Sequence, residues 1–469
     1  MTFDLASILA ERQGEKYALH DRHLNPQLVR VLKTLGYDVN FTRGEGAHLY
    51  DVTGRRYLDL LSGFGVFALG RNHPAIAAAL RQVLEAQLPG LVQLDVSLLA
   101  GVLAEKLLAR IGMAGLERVF FCNSGTEAVE AAIKFARMAT GRPKIVYCAG
   151  AFHGLTYGAL SLNGTEVFRK GFGPLLPDCV KIPFNDLPAL EAALKGGQIA
   201  AFIVEPIQGK GVTLPDDNYL AEAARLCKRH QALFIADEIQ TGLGRSGRFL
   251  ACEHYGVEPD MVLLAKALSG GFVPVGAVAL RHWIFAKLFD RMDRALVHGS
   301  TFAKNDLAMA AGIATLEVIE EERLVEKADA SGRALLADLQ GFAGRHELLK
   351  EVRGKGLMIG LEFGPPKSLK LKAAWHLMDS ARRGLFCQLV LIPLLRDHQV
   401  LCQVSGDDNY IIKLLPALTI DAADRQWVVS AFDKVIGDCH QIGGAVWDLG
   451  RSLAKHSLKA RAGAGAGAA

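Results

Sequence analysis

Five apolar runs, each giving way to polar residues, constrain this chain more than anything else in it. They are VFFC (119–122), KIVYC (144–148), AAFIVEP (200–206), ALFIADE (232–238) and MVLLAKA (261–267). None of them alternates apolar with polar residues. A strand with one wet face must alternate, so continuous runs mean strands covered on both faces. Helical patterns lie between them. SGTEAVEAAIKFARMATG (124–141) opens on small polar residues and stops at glycine, and AEAARLCKRH (221–230) fills a later gap. The alternation predicts a doubly wound α/β layer around a mostly parallel sheet. Its ligand site should lie at the carboxyl ends of the strands.

The flanks read differently. GEGAHLYDVTGRRYLDLLSG (44–63) predicts two short strands around a turn at Thr53-Gly54, and HPAIAAALRQVLEAQL (73–88) predicts a helix. A long helical stretch (306–343) follows the last apolar run. VRGKGLMIGLEFG (352–364), VLCQV (400–404) and YIIKLL (410–415) then predict a smaller α+β unit that closes on a terminal helix. A chain of 469 residues should hold several folding units. The expected division is an N-terminal segment (1–70) that joins the small domain, a large domain (71–320), the small domain itself (321–460) and a disordered Ala/Gly tail (461–469).

Composition closes off other classes. A net charge of +4 gives no reason to expect nucleic acid as a partner. With 50% hydrophobic and 22% charged residues the chain is not intrinsically disordered. MTFDLASILAERQGEK at the start lacks a basic stretch followed by an apolar core, and no run of 18 apolar residues occurs. The eight cysteines form no CxxC pair, and no His cluster has zinc spacing, so no metal is expected. They read as buried free thiols of a reducing, cytoplasmic compartment. The basic stretch from Arg451 to Arg461 reads as a solvated terminal helix rather than a membrane contact.

The informative residues are those that end the runs. Ser124-Gly125-Thr126 opens a helix, which suits either a phosphate or an ordinary N-cap. Asp237 and Glu238 end an apolar strand, where a carboxylate is costly unless paired. Lys266 interrupts another run, as a buried ion-pair partner or as an activated amine. Glu205, Gln208 and the Phe152-His153 pair lie in similar loops. Many of the 49 glycines fall at these same junctions.

Taken together, NSGTEAVEAAIKFAR (123–137), AFHGLTYGALSL (151–162), VEPIQG (204–209), LFIADEIQTGLGRSGRF (233–249), LLAKALSGG (263–271) and HGSTFAKNDLA (298–308) resemble the class III (omega) aminotransferases. The resemblance spans most of residues 40–420. It implies the type I fold of pyridoxal 5′-phosphate (PLP) enzymes, a ping-pong transamination and a homodimer with shared active sites. On this resemblance Lys266 would bond to the cofactor and shuttle the proton, and Asp237 would hold the pyridine nitrogen protonated. Ser124, Gly125 and Thr126 would bind the phosphate, with Thr301 of the neighbouring subunit completing that site. Phe152 would stack on the ring and Ile239 would pack behind it. Gln240 would lie near the phenolic oxygen, with His153 and Glu205 beside the cofactor.

The chain also departs from the pattern. Ornithine- and acetylornithine-type members carry Glu after VEPIQG, where this chain has Lys210. They carry Arg before their PPL segment, where IIKLLPALTI (411–420) has Lys413. Lys lacks the two-pronged grip of Arg on a carboxylate. Phe64 and Phe67, in SGFGVFALG (62–70), fall where the family lines its substrate entrance. The expected donor is therefore a terminal amine without an α-carboxylate, hydrophobic or long-chain. Ornithine-type transamination and a catalytically silent PLP-fold protein are the alternatives.

Overall fold

The computed structural model describes residues 3–92, 95–441, 447 and 450. The expected tail and the basic stretch from Arg451 to Arg461 lie outside them. Three short helices, Leu5–Arg12, Lys16–His23 and Pro26–Leu35, precede strands β1 (Phe41–Glu45), β2 (His48–Asp51) and β3 (Arg56–Asp59). The β2–β3 hairpin turns at Thr53-Gly54, where Gly54 adopts φ +81°, as its sequence predicts.

The central sheet comprises β4 (Arg118–Cys122), β5 (Lys144–Cys148), β6 (Cys179–Ile182), β7 (Ile199–Val204), β8 (Leu233–Asp237), β9 (Met261–Leu264) and β10 (Gly276–Leu280). Its order is β4-β10-β9-β8-β7-β5-β6. β10 runs antiparallel to both neighbours and the other strands share one direction. Side chains alternate across the sheet. Phe202, Val204, Phe234, Ala236, Val262 and Leu264 feed one core, and Ala201, Ile203, Leu233, Ile235, Met261 and Leu263 feed another. Both faces are dry, so the strands read as unbroken apolar runs.

The C-terminal strands are β11 (Leu349–Lys355), β12 (Met358–Phe363), β13 (Val400–Leu401), β14 (Gln403–Ser405) and β15 (Ile411–Leu414). β11-β12-β15-β14 forms an antiparallel sheet, whereas β13 pairs in parallel with β3 in the sheet β1-β2-β3-β13. The run VLCQV therefore splits between two sheets and ties the start of the chain to its end.

Two sequence expectations need adjustment. MVLLAKA stops being strand at Leu264; Lys266 begins a single helical turn, Lys266–Ser269, with φ +45°. A β-extended lysine would continue the ladder, whereas this backbone turns it out of the sheet. The antiparallel strand GAVAL and the short strand CVKI were not foreseen from the pattern. All eight cysteines are free thiols, seven of them buried. No helix among the described residues is long and apolar enough to cross a membrane.

Candidate active site

The ends of β7, β8 and β9 lie side by side and deliver Glu205, Asp237 and Lys266 to one place. Asp237 and Glu205 are buried, and Lys266 is half-buried. Burial holds the Lys266 amine below the usual lysine range, with the charges of Asp237 and Glu205 opposing that shift. Asp237 Oδ2 sits 2.7 Å from His153 Nδ1, and its Oδ1 accepts the Ile239 N–H at 3.1 Å. Burial pushes the His153 imidazole toward its neutral form. The bond and charge of Asp237, aided by Glu205, outweigh this and raise its pKa. Glu205 is raised by burial, although His153 and two backbone N–H groups stabilise its charge. Those groups are Phe152 N–H at 3.0 Å and Gly209 N–H at 2.8 Å.

Glu238, the other carboxylate at this strand end, turns away. It accepts from Thr241 Oγ1 and from the Cys252 N–H, and so braces the following turn.

Ser124 caps the helix Gly125–Thr140, accepting the Glu127 N–H at 3.3 Å. A helix start leaves its first N–H groups without partners inside the helix, with a partial positive charge. This start is seated directly on the β8 end. A Cβ at Gly125 would lie 2.9 Å from Ile239 Cγ2, so only glycine allows the approach. Thr126 Oγ1 bonds Thr156 Oγ1 at 2.6 Å, which joins the same helix start to the loop after Phe152 and His153.

The remaining residues singled out in sequence fall into two groups. Gln240 lies within this cleft, donating to the Phe64 carbonyl at 3.0 Å and accepting from Lys413 Nζ at 3.3 Å. Lys413 is 5% exposed and also donates to the Gly209 carbonyl at 2.7 Å. Burial and the nearby Lys266 lower its pKa to about 7, against the pull of Glu205. Phe64 is exposed, whereas Phe67 packs against Gly63 and Gly271 and lies 4.0 Å beneath the Arg71 guanidinium. Lys210 leaves the centre altogether. Its amine bonds Asp407 at 2.5 Å and Thr165 at 2.7 Å, above the Phe168 ring. Phe168 meets Phe152 edge to face at 5.4 Å. Thr301 is exposed in a groove of about 1310 Å³, beside Ser300, which accepts from Asn123 at 2.7 Å.

Asp407, Thr165 and Phe168 had no signal of their own in the sequence. Nothing in one dimension joins Lys210 to Asp407, 197 positions away.

A half-buried amine, a buried carboxylate and a helix start thus converge. These groups suit an aldehyde, a pyridine nitrogen and a phosphate in turn, so the residues present fit PLP.

Comparison with known proteins agrees. The family model described as "Aminotransferase class-III" matches residues 32–436. The aminotransferase PigE of Serratia sp. (strain ATCC 39006) is 35% identical over 463 residues, covering 92% of this chain. The chain spans about half, 54%, of that relative's length. Among solved structures, ornithine aminotransferase from Toxoplasma gondii superposes with a TM-score of 0.78 at 30% identity, covering 93% of this chain and 99% of its own. An amine transaminase from an uncultivated Pseudomonas species, in PLP-bound form, gives 0.73 at 31% identity, covering 85% and 94%. Acetylornithine aminotransferase from Elizabethkingia anophelis gives 0.68 at 32% identity, covering 88% and 99%. Strand ends, helix start and family match agree: this chain belongs to the class III aminotransferases.

Proposed function

We propose that this chain is a PLP-dependent transaminase whose amino donor is a terminal amine without an α-carboxylate, hydrophobic or long-chain. The acceptor is an oxo-acid or aldehyde, and the two half-reactions alternate in ping-pong order. The enzyme works as a cytoplasmic homodimer, with Thr301 serving the neighbouring subunit's phosphate.

When bound, PLP supplies an electron sink for the charge left on the amine-bearing carbon. Lys266 Nζ would anchor the cofactor and carry the proton to and from that carbon. Its lowered pKa keeps a fraction of the amine neutral and able to take a proton. Asp237 would hold the pyridine nitrogen protonated, and the His153 bond fixes which way its carboxylate points. Ser124, Gly125 and Thr126 would hold the phosphate at the helix start, whose Gly125 lies against Ile239. Phe152 would cover the ring, with its backbone N–H tied to Glu205.

The state of Lys413 carries the donor assignment. A carboxylate clamp needs a free cation, but this amine is buried, already serves two carbonyl oxygens and has a pKa lowered to about 7. Lys210 is instead engaged in an ion pair with Asp407. Neither cation is left to grip an α-carboxylate.

A donor screen on the PLP-loaded enzyme, with products identified by mass spectrometry, tests this. Aliphatic and aromatic amines should outpace amino acids. Ornithine or acetylornithine far ahead of every simple amine would reverse the assignment.

A further inference from the structure

We propose that Lys413 is a positioning residue for the donor entrance: it sets Phe64 through a relay of hydrogen bonds that runs by way of Gln240. The inference rests on the cleft being the amine site, and not on which amine enters it.

The relay begins on a rigid base. Lys413 lies within β15, paired with Gly360 on one side and Gln403 on the other. From there its amine reaches two different loops. It donates to the Gly209 carbonyl after β7 at 2.7 Å, and to Gln240 Oε1 after β8 at 3.3 Å. Gly209 is pinned from its other side by Glu205, which accepts its N–H at 2.8 Å. A Cβ at Gly209 would lie 2.5 Å from Gln240 Oε1, so the glycine is what lets Gln240 pass. With its oxygen held by Lys413, the Gln240 amide must point its nitrogen the other way. That nitrogen donates to the Phe64 carbonyl at 3.0 Å.

Phe64 sits in backbone that needs holding. Ser62, Gly63, Phe64 and Gly65 are left-handed in succession, with φ of +45°, +59°, +62° and +92°. Two of these four carry side chains, which left-handed backbone disfavours. Such a turn persists where its surroundings over-determine it. On its entry side Asp59 Oδ1 accepts the Leu61 and Ser62 N–H groups at 2.9 and 2.8 Å. On the exit side Phe67 is wedged between Gly63, Gly271 and Arg71. Between these two anchors Gln240 takes the Phe64 carbonyl. Phe64 is 54% exposed, and a Cβ at Gly65 beside it would lie 3.9 Å from Gln240 Cγ.

Lys413→Met removes the amine and keeps the length, and Lys413→Gln replaces it should the first fail to fold. Two readouts apply. In the first, chymotrypsin cleavage after Phe64 is compared with cleavage after Phe172, another exposed aromatic residue, as an internal control. The ratio should rise about tenfold, the scale of one lost hydrogen bond to a charged group. In the second, donor KM should rise about tenfold while kcat stays within about twofold. In a Phe64→Ala background, Lys413→Met should then add nothing, as expected for residues on one path.

An unchanged cleavage ratio, or additive effects of Phe64→Ala and Lys413→Met, would overturn the relay. A KM rise confined to α-carboxylate donors would overturn it too, because Lys413 would then be a clamp. The wild-type donor spectrum, measured alongside, separates the two readings. Simple amines ahead with an additive cycle would sink the relay and leave the donor assignment standing.

Discussion

Asp237 and Asp407 each hold one basic partner, His153 Nδ1 at 2.7 Å and Lys210 Nζ at 2.5 Å. By distance the second pair is the stronger. By surroundings it is much the weaker. Asp237 and His153 are 3% and 0% exposed, whereas Asp407 is 60% exposed on a loop between two short strands. Water and salt screen the loop pair, and such pairs are worth roughly 0–1 kcal/mol. The strand-end pair has no such screen, and removing one partner strands the other, at about 3–5 kcal/mol. Desolvation, rather than distance, decides which of the two is costlier to break.

The comparison sharpens most at Lys266. Lys266→Ala should lower turnover by at least about 10⁴-fold, the upper end of what a positioned proton carrier contributes. Steady-state amine consumption measures this, and the visible absorbance of the loaded protein should be altered with it. Normal activity in this variant would remove the site assignment altogether. Next comes Asp237→Asn. Electrostatic partners of a developing charge are worth about 10²–10³-fold in kcat, and the same variant leaves His153 without its carboxylate. Both kcat and the melting temperature should fall. If thermal unfolding of Asp237→Asn matched that of Asp407→Asn, burial would not be the deciding quantity.

Much of this centre was legible in the sequence, because strand ends are written in it. ALFIADE and MVLLAKA show where apolar runs stop, and adjacent parallel strands must bring their ends together. The order of the strands was not legible. GAVAL is as apolar as its neighbours, yet runs antiparallel between β4 and β9, and no residue in it marks direction. The division of VLCQV between two sheets was hidden for a similar reason. A run of five residues looks like one strand unless its partners, Leu58–Asp59 and Ile411–Lys413, are known. Lys413 was visible as an unusual residue, but its burial and its bonds to Gly209 and Gln240 depend on contacts across about 200 positions. The partners of Lys210 were invisible on the same account.

Lys413 stands between the two extremes, buried like Asp237 but with neutral oxygens as partners. Its folded pKa is lowered to about 7 from an ordinary value of 10.5, chiefly by burial and then by Lys266, with Glu205 opposing. The sign follows from linkage. Below pH 7 the amine is charged in both states, and the folded state bears the whole burial penalty. Between pH 7 and 10.5 only the unfolded chain keeps the proton, so the penalty fades as pH rises. Lys413→Met removes this penalty. Its melting temperature relative to wild type should therefore be highest at or below pH 7, and should decline steadily toward pH 10. A difference that is flat with pH would show that Lys413 is not desolvated as the structure has it.

The smallest effect is expected at Asp407. Asp407→Asn keeps the loop's shape and an oxygen for Thr165, and removes the charge that faces Lys210. The loss should be under about 1 kcal/mol at low ionic strength and should shrink further in 1 M salt, where screening acts over about 3 Å. Chemical denaturation at two salt concentrations reads this directly. The amine of Lys210 retains Thr165 and the Phe168 face, so Phe152 should keep its place and kcat should change by less than about twofold. A large, salt-insensitive loss would mean that the clasp is shielded from solvent in the working enzyme. It would then belong with Asp237 rather than opposite it, and the aromatic pair Phe152–Phe168 would depend on it.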